Sequence, residues 1–504
     1  MIDCNLAPLF TVISPAIASM LILISHRHPN IREAWTIIAT IVTFSFVISM
    51  APKVLSGETV ECVLFEMIPG VEFAFKVDAF GMIFAITSSS LWILVSLYSI
   101  GYMRSLNEHA QTRYYFCFAW AITSALGIAF SKNLITLFVF YEILTICTHP
   151  LVAHEESQEA LAAGRKYLLY LMTSGCFLLA ASLITYSISG TTDFNPRGIL
   201  NSEVPEFFLQ LLFICYLLGF MKAAYMPFHS WLPTAMIAPT PVSGLLHAVA
   251  VVKAGVFGII RVICYVYGVE LTYHLGLGLL LACFASFTVI VANLFAIGED
   301  NLKRRLAYST INQLSFIILG VSLLTPFAIM GGMMHITFHG YMKITLFLCA
   351  GAIAAITGKK LVSELAGVGK RMPITMVAFT IGAIGMSGLP PVAGFLGKWY
   401  ICLGAVQATE FFNQASYLAF IFVVLTSSIL DVVYLFPIVR TAFFTGSNEN
   451  LEREETKKTI YLFMIIPLLI TATFSIALFI FPNALLIFDL AEKAVEDVYG
   501  GWLR

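Results

Sequence analysis

Four lysines lie inside apolar stretches of this chain, where a buried charge needs a partner or a function. They are Lys222, Lys253, Lys343 and Lys398. A lysine removed from water either pairs with a carboxylate or exchanges its proton, because burial disfavours the charged form. Two acids stand in similar stretches, Glu142 in LFVFYEILTI and Asp431 in SSILDVVYLFP. Together these residues are typical of a series of groups that pass protons.

The two acids predict two pairs. Glu142 is the single acid of its apolar run, and Lys222 is its expected partner; loss of that partner would favour release of the lysine proton. A solvated carboxyl at a helix end is the alternative for Glu142. Lys398 has Asp431 as its expected counter-charge. Asp431 could instead be an acidic exit point, or serve helix packing beside Ser427.

Histidines accompany the other two lysines. In HITFHGYMKITLF, His335, His339 and Lys343 are four residues apart, which places them on one helix face at steps of about 6 Å. They predict a polar stripe that hydrates a proton path, with hydrogen-bonded core histidines as the alternative. No third ligand pattern follows the two histidines, so no metal is expected.

Lys253 lies in GLLHAVAVVKAG, six residues after His247. That spacing puts the two side chains about 240° apart around a helix, so a water molecule or a second helix must join them. We expect Lys253 to act as a proton relay. A side chain that snorkels to the membrane interface is the alternative.

The composition indicates which elements must hold these groups. Of 504 residues, 59% are hydrophobic and only 11% are charged, far below the roughly 25% of soluble proteins. The fold class is therefore an all-α polytopic membrane protein. The sequence has neither a basic arm nor a basic patch interleaved with aromatic residues, which argues against nucleic acid as a partner. The ten cysteines stand singly with no CxxC, so neither an iron–sulfur cluster nor another cofactor is expected.

Fourteen apolar runs are long enough to cross a bilayer, at about 20 residues each. They lie near 6–26, 33–55, 78–101, 114–130, 133–153, 166–189, 206–226, 240–262, 270–297, 306–325, 327–356, 374–403, 415–443 and 459–488. Residues 56–77 alternate polar and apolar side chains, which predicts a β-hairpin outside the membrane. The chain then divides into 1–113, with helices 1–3 and the hairpin; 114–262 and 263–443, each with five helices; and 444–504, with a loop and helix 14.

Prolines interrupt the seventh and twelfth runs. They are Pro227, Pro233, Pro390 and Pro391. Broken backbone at membrane depth is found where it is buried in protein or lines a cavity, and corresponding broken helices in two halves point to an ion site. The two breaks lie five runs apart, so consecutive five-helix units would have opposite topology. We therefore expect two inverted repeats, with Lys222 and Lys398 as pseudo-equivalents.

The basic loop residues predict the orientation. With the N-terminus outside, seventeen of the 28 Lys and Arg residues fall in inward loops and seven on the outward side, which leaves only the four lysines within the runs. Because basic residues are enriched in cytoplasmic loops, both termini are expected outside the cytoplasm.

The stretches MPFHSWLPTAMIAPTPVSGLLHAVAVVKAG and SGLPPVAGFLGKWY resemble the antiporter-like subunits shared by respiratory complex I, membrane-bound hydrogenases and Mrp cation/proton antiporters. VVKAG and HITFHGYMKITLFLCAGAI look most like the D-type Mrp subunit. The resemblance covers the third to thirteenth runs and implies fourteen helices, inverted five-helix repeats and a pair at Glu142 and Lys222. It also implies a relay lysine at Lys253 and a terminal lysine at Lys398, where some complex I subunits carry glutamate. Asp431 stands where an uncharged polar residue is expected.

The sequence thus predicts a proton-translocating subunit of a multisubunit Na⁺/H⁺ antiporter, without a redox centre or cofactor. Its expected partners are other membrane subunits, protons, Na⁺ and the lipid bilayer of a bacterial or archaeal cell membrane. The main alternative is a proton-pumping membrane subunit of a complex I-like NADH/quinone oxidoreductase or a membrane-bound hydrogenase. A purely structural subunit is a third hypothesis, which the cost of four lysines within the membrane disfavours.

Overall fold

The described part of the chain is mostly helical. A computed structural model describes residues 6–201, 203–446 and 458–500, apart from the side chains of His247 and of residues 458–460. The α-helices are α1 Ala7–Ile24, α2 Pro29–Leu55, α3 Ala79–Ser105, α4 Gln111–Ala129, α5 Leu134–Val152, α6 Gln158–Ser189, α7 Glu206–Gly219, α8 Trp231–Thr234, α9 Thr240–Gly244, α10 Val251–Arg261, α11 Val269–His274, α12 Leu277–Gly298, α13 Leu302–Ser322, α14 Pro326–Thr357, α15 Val368–Arg371, α16 Pro373–Met386, α17 Gly394–Phe412, α18 Ala419–Phe444, α19 Lys458–Ile480 and α20 Ile487–Tyr499. Short 3₁₀ turns and π-helical turns join several of them.

Nine helices within the described ranges are long and apolar enough to cross a membrane. They are α1, α2, α3, α5, α6, α12, α14, α19 and the helix of residues 415–444 that contains α18. The other five expected spans correspond to α4, α7, α9 with α10, α13, and α16 with α17. Of these, α7 and α16 have 14 residues each, and a π-helical turn separates α9 from α10. The number fourteen and the inverted repeats therefore stay predictions.

Helices α3 and α14 occupy the centre of the molecule. Their most apolar windows are 83% and 78% buried, as expected for helices that are hydrophobic on all sides. Helix α14 packs against α3, α13, α16, α17 and α19. Hydroxyl groups join the two central helices, since Tyr98 donates to the Leu348 carbonyl at 2.8 Å and Tyr341 donates to Ser90 at 2.9 Å. These contacts give the polar residues of α14 a rigid support.

Residues 60–77 form an antiparallel hairpin, with strands β1 Val60–Ile68 and β2 Val71–Val77. Lys132, between α4 and α5, holds it by ion pairs to Glu61 at 2.6 Å and Glu72 at 2.7 Å. Burial by itself would lower the pKa of Lys132, but hydrogen bonds to these two carboxylates and the charge of Asp193 raise that pKa above its usual value. The hairpin is thus tied to the start of α5.

The first helix break is closed by side chains from neighbouring elements. Helix α7 ends at Gly219, and a 3₁₀ turn, Met221–Ala223, follows it. Ser174 of α6 donates to the Gly219 carbonyl at 2.5 Å and accepts from the Met221 amide at 3.2 Å. The indole of Trp231 donates to the Met221 carbonyl at 3.2 Å. The broken backbone is therefore satisfied within the protein, as its depth requires.

Candidate site of buried ionisable residues

Lys398 and Asp431 form a buried ion pair. The Nζ of Lys398 lies 2.9 Å from Oδ2 of Asp431, and it also donates to the Met386 carbonyl at 2.9 Å and to Ser428 Oγ at 3.1 Å. Asp431 is fully buried and Lys398 is 4% exposed. The structure thus brings these two predicted residues together in the geometry of charge and counter-charge.

Three further donors surround the Asp431 carboxylate. Asn312 and Tyr434 donate to Oδ1 at 2.8 Å and 2.7 Å, and Gln313 donates to Oδ2 at 3.1 Å. With Lys398, four donors satisfy a carboxylate that can accept about four hydrogen bonds. The sequence analysis did not predict these partners. The available signal was the adjacent amides of Asn312 and Gln313 in the tenth apolar run.

The histidines of α14 continue this cluster. Nε2 of His335 lies 3.0 Å from Oε1 of Gln313, and the stacked rings of His335 and His339 have centroids 6.2 Å apart. Nδ1 of His339 lies 2.7 Å from Nζ of Lys253. The partner of Lys253 is therefore a histidine on a second helix. The expected link between Lys253 and His247 stays a prediction. His247 itself lies in the π-helical turn Leu245–Val249, and its side chain is outside the described residues.

These contacts form one buried polar series across five helices, and no member is more than 4% exposed. In order, the series is Lys253, His339, His335, Gln313, Asp431 and Lys398. We call it the central series. It connects α10, α14, α13, α18 and α17 through groups that both donate and accept protons, apart from the amide of Gln313.

Lys343 lies one turn beyond His339 on the same face of α14. It is fully buried, and its Nζ makes no hydrogen bond within the described part of the chain. The nearest ring is that of Phe347, with its centroid 6.0 Å from Nζ. Lys343 therefore shares the predicted face but is not joined to the central series by a hydrogen bond.

Glu142 and Lys222 are neighbours without direct contact. Nζ of Lys222 donates to the Tyr141 carbonyl at 2.6 Å and lies 3.1 Å from the centroid of the Tyr141 ring. Both carboxylate oxygens of Glu142 are buried and have no hydrogen-bond partner among the described residues. The carboxylate instead packs against Gly175 of α6, where a Cβ atom would lie 2.2 Å from Oε1. The two residues thus form no hydrogen bond with each other, and the ammonium group of Lys222 contacts Tyr141 instead.

Lys222 nevertheless lies beside the helix that carries Lys253. A Cβ atom at Gly255 of α10 would lie 2.1 Å from the Ala223 amide nitrogen, so the 3₁₀ turn of Lys222 rests directly on α10. Side-chain contacts place Lys222 with α5, whereas they place Lys253 with α14. The first break thus borders the start of the central series.

The predicted prolines lie at the breaks, but the two lysines differ in position. Pro227, Pro390 and Pro391 are outside helices, and Pro233 is inside the one-turn α8. Lys222 lies within its break, in the 3₁₀ turn that follows α7, whereas Lys398 lies within α17, after its break. The pseudo-equivalence of Lys222 and Lys398 within inverted repeats therefore stays a prediction.

Comparisons with known sequences give the context of this site. Residues 131–429 match the family model described as NADH:quinone oxidoreductase/Mrp antiporter, transmembrane. The chain is 29% identical over 456 residues to the N subunit of NADH-quinone oxidoreductase from Desulforudis audaxviator, which covers 89% of this chain and 88% of that protein. It is 30% identical over 519 residues to the Na(+)/H(+) antiporter A subunit of Alkalihalophilus pseudofirmus, which covers 97% of this chain but only 63% of that protein.

Two solved structures share the fold. The Mrp complex of Dietzia sp. DQ12-45-1b matches with a TM-score of 0.85 and 21% identity over 99% of this chain and 98% of that one. The archaeal membrane-bound sulfane sulfur reductase matches with a TM-score of 0.84 and 24% identity over 97% of each chain. The predicted family is confirmed, while the likeness to the D-type subunit stays a prediction. This multi-pass membrane protein belongs to the NADH:quinone oxidoreductase/Mrp antiporter family.

Proposed function

We propose that this chain is the proton-translocating subunit of a multisubunit Na⁺/H⁺ antiporter. The observation that carries the proposal is the central series, in which two lysines, two histidines and an aspartate are buried and are joined, with Gln313 between His335 and Asp431, by hydrogen-bonding or ring-stacking contacts. Charged residues at such depth are costly and mark ion or proton pathways. The antiporter relatives carry the name of this activity.

The geometry favours a specific set of proton steps. Lys253 and His339 can share one proton across their 2.7 Å contact. At the other end, transfer of a proton from Lys398 to Asp431 converts a buried ion pair into a neutral pair. Such a transfer needs little movement, because the two atoms are already 2.9 Å apart. We propose that Glu142 and Lys222 form the switch that biases this series from the first half of the chain.

The proposal includes the finer architecture. The chain would have fourteen membrane helices, two inverted five-helix repeats over 114–262 and 263–443, and both termini outside the cytoplasm. It would work with other membrane subunits in the cell membrane of a bacterium or archaeon. The apolar faces of the outer helices support this arrangement, since side chains such as Phe422 at 70% exposed and Leu169 at 68% exposed suit lipid or a neighbouring protein.

A second candidate is the proton-pumping membrane subunit of a redox-driven complex. One observation favours it: this chain spans 88% of the NADH-quinone oxidoreductase relative, but only 63% of the Alkalihalophilus antiporter relative. The central series would serve either protein, and the two differ in what drives it.

Everted membrane vesicles that contain the native complex distinguish the two. A pH-sensitive dye reports the proton gradient, and NaCl is added after the gradient is established. Collapse of the gradient by Na⁺, with no iron–sulfur proteins among the co-purified subunits by mass spectrometry, is the expected result. Hydrogenase or dehydrogenase subunits in the complex, together with a gradient formed by their substrate and unaffected by Na⁺, would favour the second candidate.

A further inference from the structure

Two loops at one end of the helices bring together a second group of ionisable side chains. Glu108 and His109 lie between α3 and α4, and His154 follows the end of α5. Oε2 of Glu108 lies 3.8 Å from Nδ1 of His109 and 4.0 Å from Nε2 of His154. One donor atom from each of the three residues lies within 4.8 Å of the others. None of these residues belongs to the central series.

His154 is the least satisfied member of the group. Its side chain is fully buried, and neither ring nitrogen has a hydrogen-bond partner among the described residues. Leaving a buried donor or acceptor unpaired costs about 1–3 kcal/mol, so such groups usually have a partner. The ring lies tilted against that of His109, with centroids 4.8 Å apart, and makes an edge contact with Tyr114 at 6.1 Å. Packing therefore fixes the ring, while its two nitrogens have no hydrogen-bond partner among the described residues.

We propose that Glu108, His109 and His154 bind a divalent transition-metal ion of the Zn²⁺ class, with water in a fourth position. Two imidazoles and one carboxylate are a known donor set for zinc sites that keep an open position. Bonds of about 2.0 Å in a tetrahedron place donors about 3.3 Å apart, so the observed atoms need to approach by at most about 1.5 Å. The 49% exposed side chain of His109 and the 21% exposed Glu108 have the room to do so.

The carboxylate of Glu108 supplies the negative charge of the proposed site. Arg113 is the nearby opposing charge, and it is engaged by Glu156 and by the His154 carbonyl. The exposed His109 supplies an entry path from solvent.

The site would tie the α3–α4 loop to the end of α5. It stands on this geometry alone and does not depend on the proposed transport function. The sequence did not suggest it, because His154 is more than forty residues from its two partners in the chain.

The test measures metal retained by the full chain after purification in detergent, stripping with a chelator, incubation with ZnCl₂ and desalting. We expect about one Zn²⁺ per chain for the unaltered protein, and at least a tenfold weaker affinity for His154→Ala and for Glu108→Gln. His154→Cys, which supplies a thiolate ligand, should restore binding. His274→Ala is the matched control, because His274 forms an exposed pair with Glu206 at 3.7 Å and no third ligand joins the pair among the described residues.

Size-exclusion profiles of the variants establish that each is folded before metal is measured. Equal zinc retention by the unaltered protein and by a folded His154→Ala or Glu108→Gln variant would overturn the proposal. Absence of zinc from the unaltered protein would overturn it as well.

Discussion

The buried pair of Lys398 and Asp431 gives the sharpest energetic prediction. Asp431→Asn keeps the shape of the side chain, and its amide oxygen can still accept from Asn312 and Tyr434. Its NH₂ group, however, faces two donors, the Lys398 ammonium at 2.9 Å and the Gln313 amide at 3.1 Å. The substitution therefore leaves a buried lysine without its counter-charge.

Removal of one partner of a buried ion pair costs about 3–5 kcal/mol. At roughly 2–4 °C per kcal/mol this corresponds to a fall in Tm of about 6–20 °C, towards the lower end for a chain of this length. Replacement of both residues, as Asp431→Asn with Lys398→Met, removes both charges. The fall in Tm of this double variant should be much smaller than the sum of the falls measured for the two single variants.

Thermal unfolding in detergent, followed with a thiol-reactive fluorescent dye, measures these values, since Cys117, Cys264 and Cys349 are buried in the folded chain. Asp497→Asn is the matched control. Asp497 pairs with Lys493 at 3.2 Å on the surface of α20, where such a pair contributes about 0–1 kcal/mol. Additive losses in the double variant, or an Asp431→Asn loss no larger than that of the control, would refute the coupling of Lys398 to Asp431.

Three further predictions concern the first half of the chain. Gly175→Ala places a Cβ atom 2.2 Å from the Glu142 carboxylate. The resulting clash, of about 1–3 kcal/mol, should lower Na⁺-driven proton flux about tenfold. Gly298→Ala, with open space around its Cβ, should keep the original flux. Lys132→Met should increase cleavage by chymotrypsin at Phe65, which is 56% exposed in the hairpin, by several-fold; an unchanged rate would show that the ion pairs do not hold the hairpin. Because the pKa of Lys132 is raised, the ion pairs should hold the hairpin as the pH rises through the ordinary lysine pKa of about 10.4, and they should weaken only at higher pH. The cleavage rate is normalised to that of a free peptide, and a normalised rate that increases at or below about pH 10.4 would contradict the raised pKa.

The residues of the site could be predicted from the sequence to a large extent, but their partners could not. An ionisable residue in an apolar run is visible in the sequence, and so are the prolines of both breaks and the alternation of the hairpin. The i, i+4 spacing also placed His335 and His339 on one face, where their rings are stacked. These features are local, so their pattern determines them.

Such local patterns do not predict contacts between distant parts of the chain. Lys253 is 86 residues from His339, and Asp431 is 118 residues from Gln313. The expected hydrogen bond of Lys222 with Glu142 is absent among the described contacts, and the neighbouring Tyr141 instead presents both a carbonyl and a ring to the lysine. The choice between two adjacent partners on one helix depends on the rotation of α5, which apolar periodicity does not determine.

Proton movement through the central series is tested most directly with Lys253→Met in the reconstituted complex. Lys253 is fully buried and its removal takes away a partner of His339, while Lys493→Met removes a partly exposed lysine of α20 as the control. Na⁺-driven proton flux into proteoliposomes, measured with an internal pH indicator, should fall at least tenfold for Lys253→Met and stay unchanged for Lys493→Met, with both complexes equally assembled. Full flux in an assembled Lys253→Met complex would contradict the account, because protons would then cross without the central series.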